Sequence, residues 1–246
     1  MIHQGDCVEL LPTLPDGAAS LVVASPPYNI GKAYETRTTM EDYLAWHRQV
    51  VNLLPRVIAD DGHVAWQVGT HVDKGVVTPL DLLVYSHFID AGFKLRNRII
   101  WAVDHGLHAT QRLSGRHETI LWFSKTGDYY FDLDSIRIPQ KHPGKKHYKG
   151  PKKGQLSCNP KGKNPGDVWT IPQLRHNHPQ KTDHPCQYPE ALIEPLVTAL
   201  TQPGDLVVDP FAGAGTSLAV AQRLGRAAWG CELMPEYVEI AQARLA

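Results

Sequence analysis

Cysteine is scarce in this sequence. Cys7, Cys158, Cys186 and Cys231 are spread over 246 residues with no two close together. That argues against a disulfide framework and fits a reducing cytoplasm. No apolar run approaches the roughly 20 residues that a membrane helix needs. The opening Met1-Ile2-His3-Gln4-Gly5-Asp6 has no basic region followed by an apolar one, so no secretory leader is expected. Net charge is absent as well, 25 Lys and Arg balancing 25 Asp and Glu. Taken alone, that balance argues against a polyanionic partner. With 42% hydrophobic and 20% charged residues the chain is ordinary globular material, which sets disorder aside as the default.

The distribution of charge points the other way from its total. Between Ile136 and Thr182 stand Lys141, Lys145, Lys146, Lys149, Lys152, Lys153, Lys161, Lys163 and Arg175, flanked by Arg137 and Lys181, against the single acid Asp167. A local field of one sign is what a polyanion meets. Residues 139–180 are rich in Pro, Gly, Lys, His and Asn and have almost no apolar periodicity. A solvated linker would explain that composition. Yet aromatic Tyr148 and Trp169 sit inside the stretch, and residues 183–246 beyond it are too few for a secure core of their own. The division expected is therefore 1–135 and 183–246 as parts of one domain, with 136–182 inserted.

Short apolar runs alternate with helical patterns along residues 1–134. Ser20–Ala24, His63–Val68, Arg98–Trp101 and Thr119–Phe123 read as strands, with a turn at Asp61-Gly62. Tyr43–Leu54 and Leu80–Ala91 read as helices, the second stopping at Gly92. Strands separated by helix-length segments imply an α/β fold with a mainly parallel sheet.

Near the C-terminal end, Asp205–Asp209 reads as a strand ending in a carboxylate. Pro210-Phe211-Ala212-Gly213-Ala214-Gly215-Thr216-Ser217 follows, then a helix over Leu218–Leu224, a second strand over Arg226–Cys231, and Glu232 at its tip. Glycines let backbone approach a ligand closely. An acid about 20 residues past such a turn can accept both ribose hydroxyls of an adenosine. A lone Gly-x-Gly is weak evidence, and the third glycine of the dinucleotide fingerprint is missing. Asp209 would repel a pyrophosphate but attract a cationic amino-acid moiety, which favours S-adenosylmethionine over a nicotinamide.

Ser25-Pro26-Pro27-Tyr28 closes the first strand. Two prolines fix φ and remove two donors, so a bare Pro-Pro reads as a stiff loop. With Ser before and Tyr after, the loop can aim a hydroxyl and carbonyls at an amino group while Tyr28 stacks on a planar base. An exocyclic amine is a poor nucleophile, and acceptors that hold its protons help the nitrogen become tetrahedral.

Together these residues resemble the amino-methylating DNA methyltransferases, in the permuted group where the catalytic tetrapeptide precedes the cofactor loop. The matching blocks are Ser25–Tyr28, Asp209–Thr216, His184-Pro185-Cys186-Gln187-Tyr188-Pro189-Glu190 and Gly5-Asp6-Cys7-Val8-Glu9-Leu10-Leu11. The resemblance spans almost the whole chain. It implies a Rossmann-like methyltransferase sheet with helices on both faces and an inserted basic target-recognition region. It implies Asp6, Cys7, His184, Pro185, Asp209, Phe211, Ala212, Gly213, Gly215, Thr216, Ser217 and Glu232 around S-adenosylmethionine, and Ser25, Pro26, Pro27 and Tyr28 around a flipped base in double-stranded DNA. The nine basic residues named first fall where the family carries its recognition region. Serine at position 25 leans toward cytosine N4, with adenine N6 as the alternative. A cognate restriction endonuclease as partner, and monomer against homodimer, stay open.

Four other readings stand beside this one. Pro185-Cys186 suggests a ring-attacking thiolate, but it stands in the block opening a helix, away from the Ser25 loop. His176, His178, His184 and Cys186 match no zinc spacing, so no metal is expected. A silent DNA-binding protein would have no need of the intact tetrapeptide and glycine turn, while an RNA substrate fits the basic segment as well as DNA does.

Overall fold

The computed structural model describes residues 1–246 apart from Ala33 and Leu107. Its centre is an eight-stranded sheet. In chain order the strands are β1 (Ile2–Gln4), β2 (Ala19–Ala24), β3 (Ile58–Val68), β6 (Lys94–Ala102), β7 (His117–Ser124), β8 (Val168–Thr170), β9 (Leu206–Asp209) and β10 (Ala227–Glu232). Two further strands, β4 (Thr70–Asp73) and β5 (Val76–Pro79), form a separate hairpin. The order across the large sheet is β1-β10-β9-β2-β3-β7-β6-β8. Pairings are parallel except β3 with β7 and β7 with β6. The C-terminal strands β9 and β10 thus seat between β1 and β2, in the sheet begun by the N-terminal half.

Side-chain alternation along the strands creates two cores. Val22, Ala24, Val64, Trp66, Leu121, Phe123 and Val208 face one side and pack with helix α2 (Met40–Val57) and helix α3 (Leu80–Asp90). Leu21, Val23, Ala65, Ile120, Trp122 and Val207 face the other and pack with helix α4 (Glu190–Leu200) and helix α5 (Thr216–Arg223). A short helix α1 (Cys7–Leu10) follows β1, and α6 (Pro235–Leu245) follows β10. Central strands buried on both faces explain the nearly continuous apolar runs that mark them in the sequence.

Local chemistry sets the boundaries. Thr39 caps α2, its hydroxyl accepting from Asp42 N, with Glu41 and Asp42 in the positive first turn. Lys74 and Gly75, at φ of 47° and 85°, make the two-residue turn between β4 and β5. Asp61-Gly62 is not a turn between elements but lies within β3, where the β2 register shifts between Ala19 and Leu21. A side chain at Gly62 would meet Ile58 Cγ2 at 2.8 Å and the Ala19 and Ser20 carbonyls at 3.0 Å. The glycine therefore serves close packing. Segment 136–182 is also more ordered than its composition suggests. Ile138 bridges Lys163, Lys146 bridges Leu156, and β8 joins the sheet edge beside β6.

Candidate active site

The strand ends that carry Gly5-Asp6, Ser25, Gln67, Asp209 and Glu232 all open on one edge of the sheet, as parallel strands require. Strand β7 runs the other way, so its beginning, His117-Glu118, lies at that same edge. Between them is a cavity of about 550 Å³ lined by both loops read from the sequence. Here β9 and β2, adjacent in space, belong to opposite ends of the chain. Such a crevice outside the carboxyl ends of the strands is where ligands of open α/β sheets sit.

One half of the cavity is built by the glycine turn. Gly213, at φ +49°, lies so close to His184 that a side chain there would stand 3.0 Å from its Nε2. Gly213 N donates to Glu232 Oε2 at 3.0 Å, and Met234 N to Oε1 at 2.9 Å. Burial raises the Glu232 carboxyl above its ordinary range. His184 stacks on Tyr34, with centroids 5.7 Å apart, and meets the edge of Tyr237 at 4.5 Å. Burial, then the neighbouring Lys181 charge, lowers His184 to about 4, so its imidazole is neutral at pH 7. Asp6 caps α1 by accepting from Val8 N at 2.8 Å, and Cys7 is buried beside it.

Three residues expected at the cofactor stand back from the cavity wall. Asp209 is fully buried, and its carboxylate is occupied by the chain: Phe211 N donates to Oδ1 at 2.9 Å, and Tyr188 and Ser217 hydroxyls donate to Oδ2. It shapes the loop from behind, which corrects the expectation that it reaches a ligand's ammonium group. Ser217 is spent on that carboxylate. Gly215 faces α6, where a side chain would meet Ala241 Cβ at 3.0 Å. Pro185, Phe211, Ala212, Gly213, Thr216 and Glu232 do line the cavity, with Asp6, Cys7 and His184.

The charge of this lining tests the cofactor. Its described residues include Asp6, Glu35, Glu118 and Glu232 and not one Lys or Arg. A pyrophosphate would find no counter-charge there. A sulfonium with an adenosine and an amino-acid tail fits both the sign and the close-approach cradle at Gly213.

The other half is the tetrapeptide loop. Tyr43 donates its hydroxyl proton to the Pro27 carbonyl at 2.8 Å. The Tyr43 oxygen must then accept from His47 Nε2 at 2.9 Å, which assigns that ring's proton. Tyr28 donates to Glu118 Oε2 at 2.9 Å, and Gln67 Nε2 donates to the same oxygen at 2.5 Å. The Ser25 hydroxyl lies 3.4 Å from Tyr28 Oη. Against the Cδ2–Cε2 edge of the Tyr28 ring is Gly69, where a side chain would stand 2.7 Å from Cε2. Asn29, at φ 58°, clasps both backbone groups of Thr38 through its amide. The Glu35 carboxylate accepts from Asn29 N and Ile30 N at 2.8 Å. The loop is pinned on every side but the one facing the cavity.

Residues 19–243 match the model of a DNA methylase family whose members methylate N6 or N4 amino groups. The chain belongs to the N6/N4 DNA methylase family. It is 51% identical over 241 residues to the type II methyltransferase M.BglII of Bacillus subtilis, covering 98% of this chain and 67% of that one. PvuII DNA methyltransferase, described as cytosine-N4-specific, superposes with a TM-score of 0.80 at 25% identity, over all of this chain and 86% of that one. A protein described as a DNA modification methylase, from Thermus thermophilus and solved with S-adenosyl-L-methionine, gives 0.71 at 30% identity, over all of this chain and 92% of that one. The chain is thus an S-adenosylmethionine-dependent DNA methyltransferase of the amino-methylating family.

Within this methylase, several cavity residues escape a motif reading: Gln67, Glu118, Tyr34, Glu35 and Tyr43. For Gln67 and Glu118 the available signal was a polar residue within a strand that is otherwise largely buried, which needs a reason to be there. Of the basic residues, Lys141, Lys145, Lys146, Lys149, Lys152, Lys153 and Lys163 are exposed along the arm formed by 138–163. Lys161 is engaged by Asp134 at 2.5 Å. Arg175 lies 2.6 Å from His105 Nε2. Gln173 and Leu174, near the segment's end, reach the cavity wall. Among the described residues there is no metal-binding cluster of His, Cys, Asp and Glu, and no helix is long and apolar enough to cross a membrane.

Proposed function

We propose that this methylase acts on cytosine N4 within a specific duplex DNA sequence. The observation that carries the reading is that Ser25-Pro26-Pro27-Tyr28 and the Gly213–Glu232 cradle share one cavity, so an amino group against the first meets a methyl donor held by the second. The cofactor supplies the electrophilic methyl group. Glu232, Asp6, His184 and the backbone of Phe211–Gly213 hold it, while Asp209 and Ser217 keep the loop in shape.

The target base must leave the duplex to enter this cavity, at a cost of a few kcal/mol. Tyr28 stacks on it, and Ser25 Oγ with the Pro26 carbonyl takes amino hydrogens. The basic arm within 136–182 meets phosphates, and its contacts set the recognition sequence. The choice of cytosine rests on Ser25. A hydroxyl takes less positive charge from the amine than a carboxylate would. The likeness to type II methyltransferases favours pairing with a cognate restriction endonuclease.

The test is methyl transfer from labelled S-adenosylmethionine to mixed-sequence duplex DNA, with nucleosides identified by mass spectrometry. N4-methylcytosine is the expected product. N6-methyladenine would move the target to the other base of the family, and a methylated product only in RNA would overturn the substrate.

A further inference from the structure

Glu118 belongs to no block that the family resemblance supplies, yet it lines the same cavity as the tetrapeptide. Its half-buried carboxyl lies in the cavity wall and is bridged to Ser25 through the Tyr28 hydroxyl. Its two oxygens differ. Oε2 already takes two donors, from Tyr28 and Gln67. Oε1 takes none from any described residue. Oε2 is thus the tied oxygen, and Oε1 keeps its acceptor capacity in the cavity wall, open to a donor on a ligand. Both existing partners are donors, so they fix the carboxylate in its acceptor role and orient it.

A base amine needs such an acceptor. When the amino nitrogen's lone pair forms the bond to the incoming methyl carbon, the carbon–sulfur bond breaks with its electrons going to sulfur. The nitrogen is left cationic with two protons and must lose one to give the neutral methylamino product. We propose that Glu118 is a catalytic residue of this methylase: Oε1 accepts one amino hydrogen of the flipped base and receives that proton as the methyl group is transferred, then releases it to solvent when the product leaves. The inference rests on the DNA-amine reading above. It also means the site accepts amino bases and rejects keto bases, whose carbonyl oxygen would face a carboxylate oxygen with no proton between them.

The surroundings support the role. Burial is the main cause that raises the Glu118 carboxyl above its usual range, which makes it a better proton acceptor than an exposed glutamate. The titratable groups facing it are Tyr28, from the loop after β2, and its chain neighbour His117. From β3 and β6 it meets Gln67 and Trp101, which do not titrate.

Glu118→Gln separates chemistry from positioning, because a glutamine oxygen still accepts from Tyr28 and Gln67. The expected result is a single-turnover methyl-transfer rate lower by on the order of 100-fold, with cofactor affinity by calorimetry and thermal unfolding close to wild type. The wild-type rate should rise with pH through the Glu118 titration. In Glu118→Gln that limb should vanish, in His117→Gln it should persist, and Glu118→Asp should recover part of the rate with the limb restored. A Glu118→Gln enzyme with the wild-type rate and pH profile would overturn the inference while leaving the methylase reading intact. A wild-type protein that methylates no DNA base would overturn both.

Discussion

Gly69→Ala offers a sharp test of how the target base is held, because the added atom meets the Tyr28 ring before anything else. The new Cβ would stand 2.7 Å from Cε2 and 3.0 Å from Cδ2 of that ring. Restoring an ordinary 3.4 Å contact requires the ring to move by roughly 0.7 Å. The ring shifts away from Gly69, which disturbs the 2.9 Å bond from its hydroxyl to Glu118. Gly69 has no positive φ, so alanine brings no backbone strain. Overpacking of this kind costs about 1–3 kcal/mol. A misplacement approaching 1 Å at a stacking residue can lower turnover by about 100-fold. Steady-state methyl transfer on duplex DNA should therefore show kcat reduced by about 10- to 100-fold, while calorimetry shows cofactor affinity within about twofold of wild type, because Gly69 is not among the residues lining the cavity. Turnover equal to wild type would mean that Tyr28's position is not what the reaction depends on.

Asp209→Asn should change the pH dependence of stability. Burial raises the Asp209 carboxyl to about 6 from an ordinary 3.8. The folded state therefore binds the proton more tightly, and stability falls as pH rises from about 4 to 6, by about 3 kcal/mol at most. His47, lowered by burial to about 3, works in the opposite direction: stability is lost as pH falls below 6.5. The difference between wild type and Asp209→Asn in urea unfolding isolates the first effect, and identical slopes for the two proteins would contradict it. Replacing Lys145, Lys146, Lys152 and Lys153 by Ala should weaken DNA binding and flatten its log–log salt dependence by about 0.9 for each phosphate no longer neutralised; an unchanged slope by fluorescence anisotropy would place the phosphate contacts elsewhere. Tyr28→Ala should abolish most turnover yet leave cofactor affinity unchanged, and turnover near wild type would remove its stacking role.

Much of this was legible because buried parallel strands and helix caps leave strong local signals. β2, α2, α3, β7 and the β9–α5–β10 unit follow the apolar runs and glycine punctuation, and both cavity loops stand at strand ends. What was not legible depends on partners distant in sequence. Ile2–Gln4 is a strand only because β10 lies beside it, and Val168–Thr170 only because β6 does. Asp209 looked like a ligand-facing carboxylate, since nothing local reveals that Tyr188 and Ser217 occupy it. Glu118 stands just before the apolar run Thr119–Phe123, and only the reversed direction of β7 brings it to the cavity edge of the sheet.

The seating of β9 and β10 between β1 and β2 has a consequence during synthesis on the ribosome. The strands β2, β3, β7 and β6 and the tetrapeptide loop emerge early, but β2 then keeps an open hydrogen-bonding edge and β1 has no neighbour. Both gaps close only when the last quarter of the chain arrives, and the cofactor cradle is created by that closure. Pairings this distant in sequence form slowly. An interrupted translation product would carry the tetrapeptide loop without the glycine turn beside it, and an exposed strand edge prone to aggregate. Modification activity in a cell should therefore track completed chains, with no contribution from nascent ones.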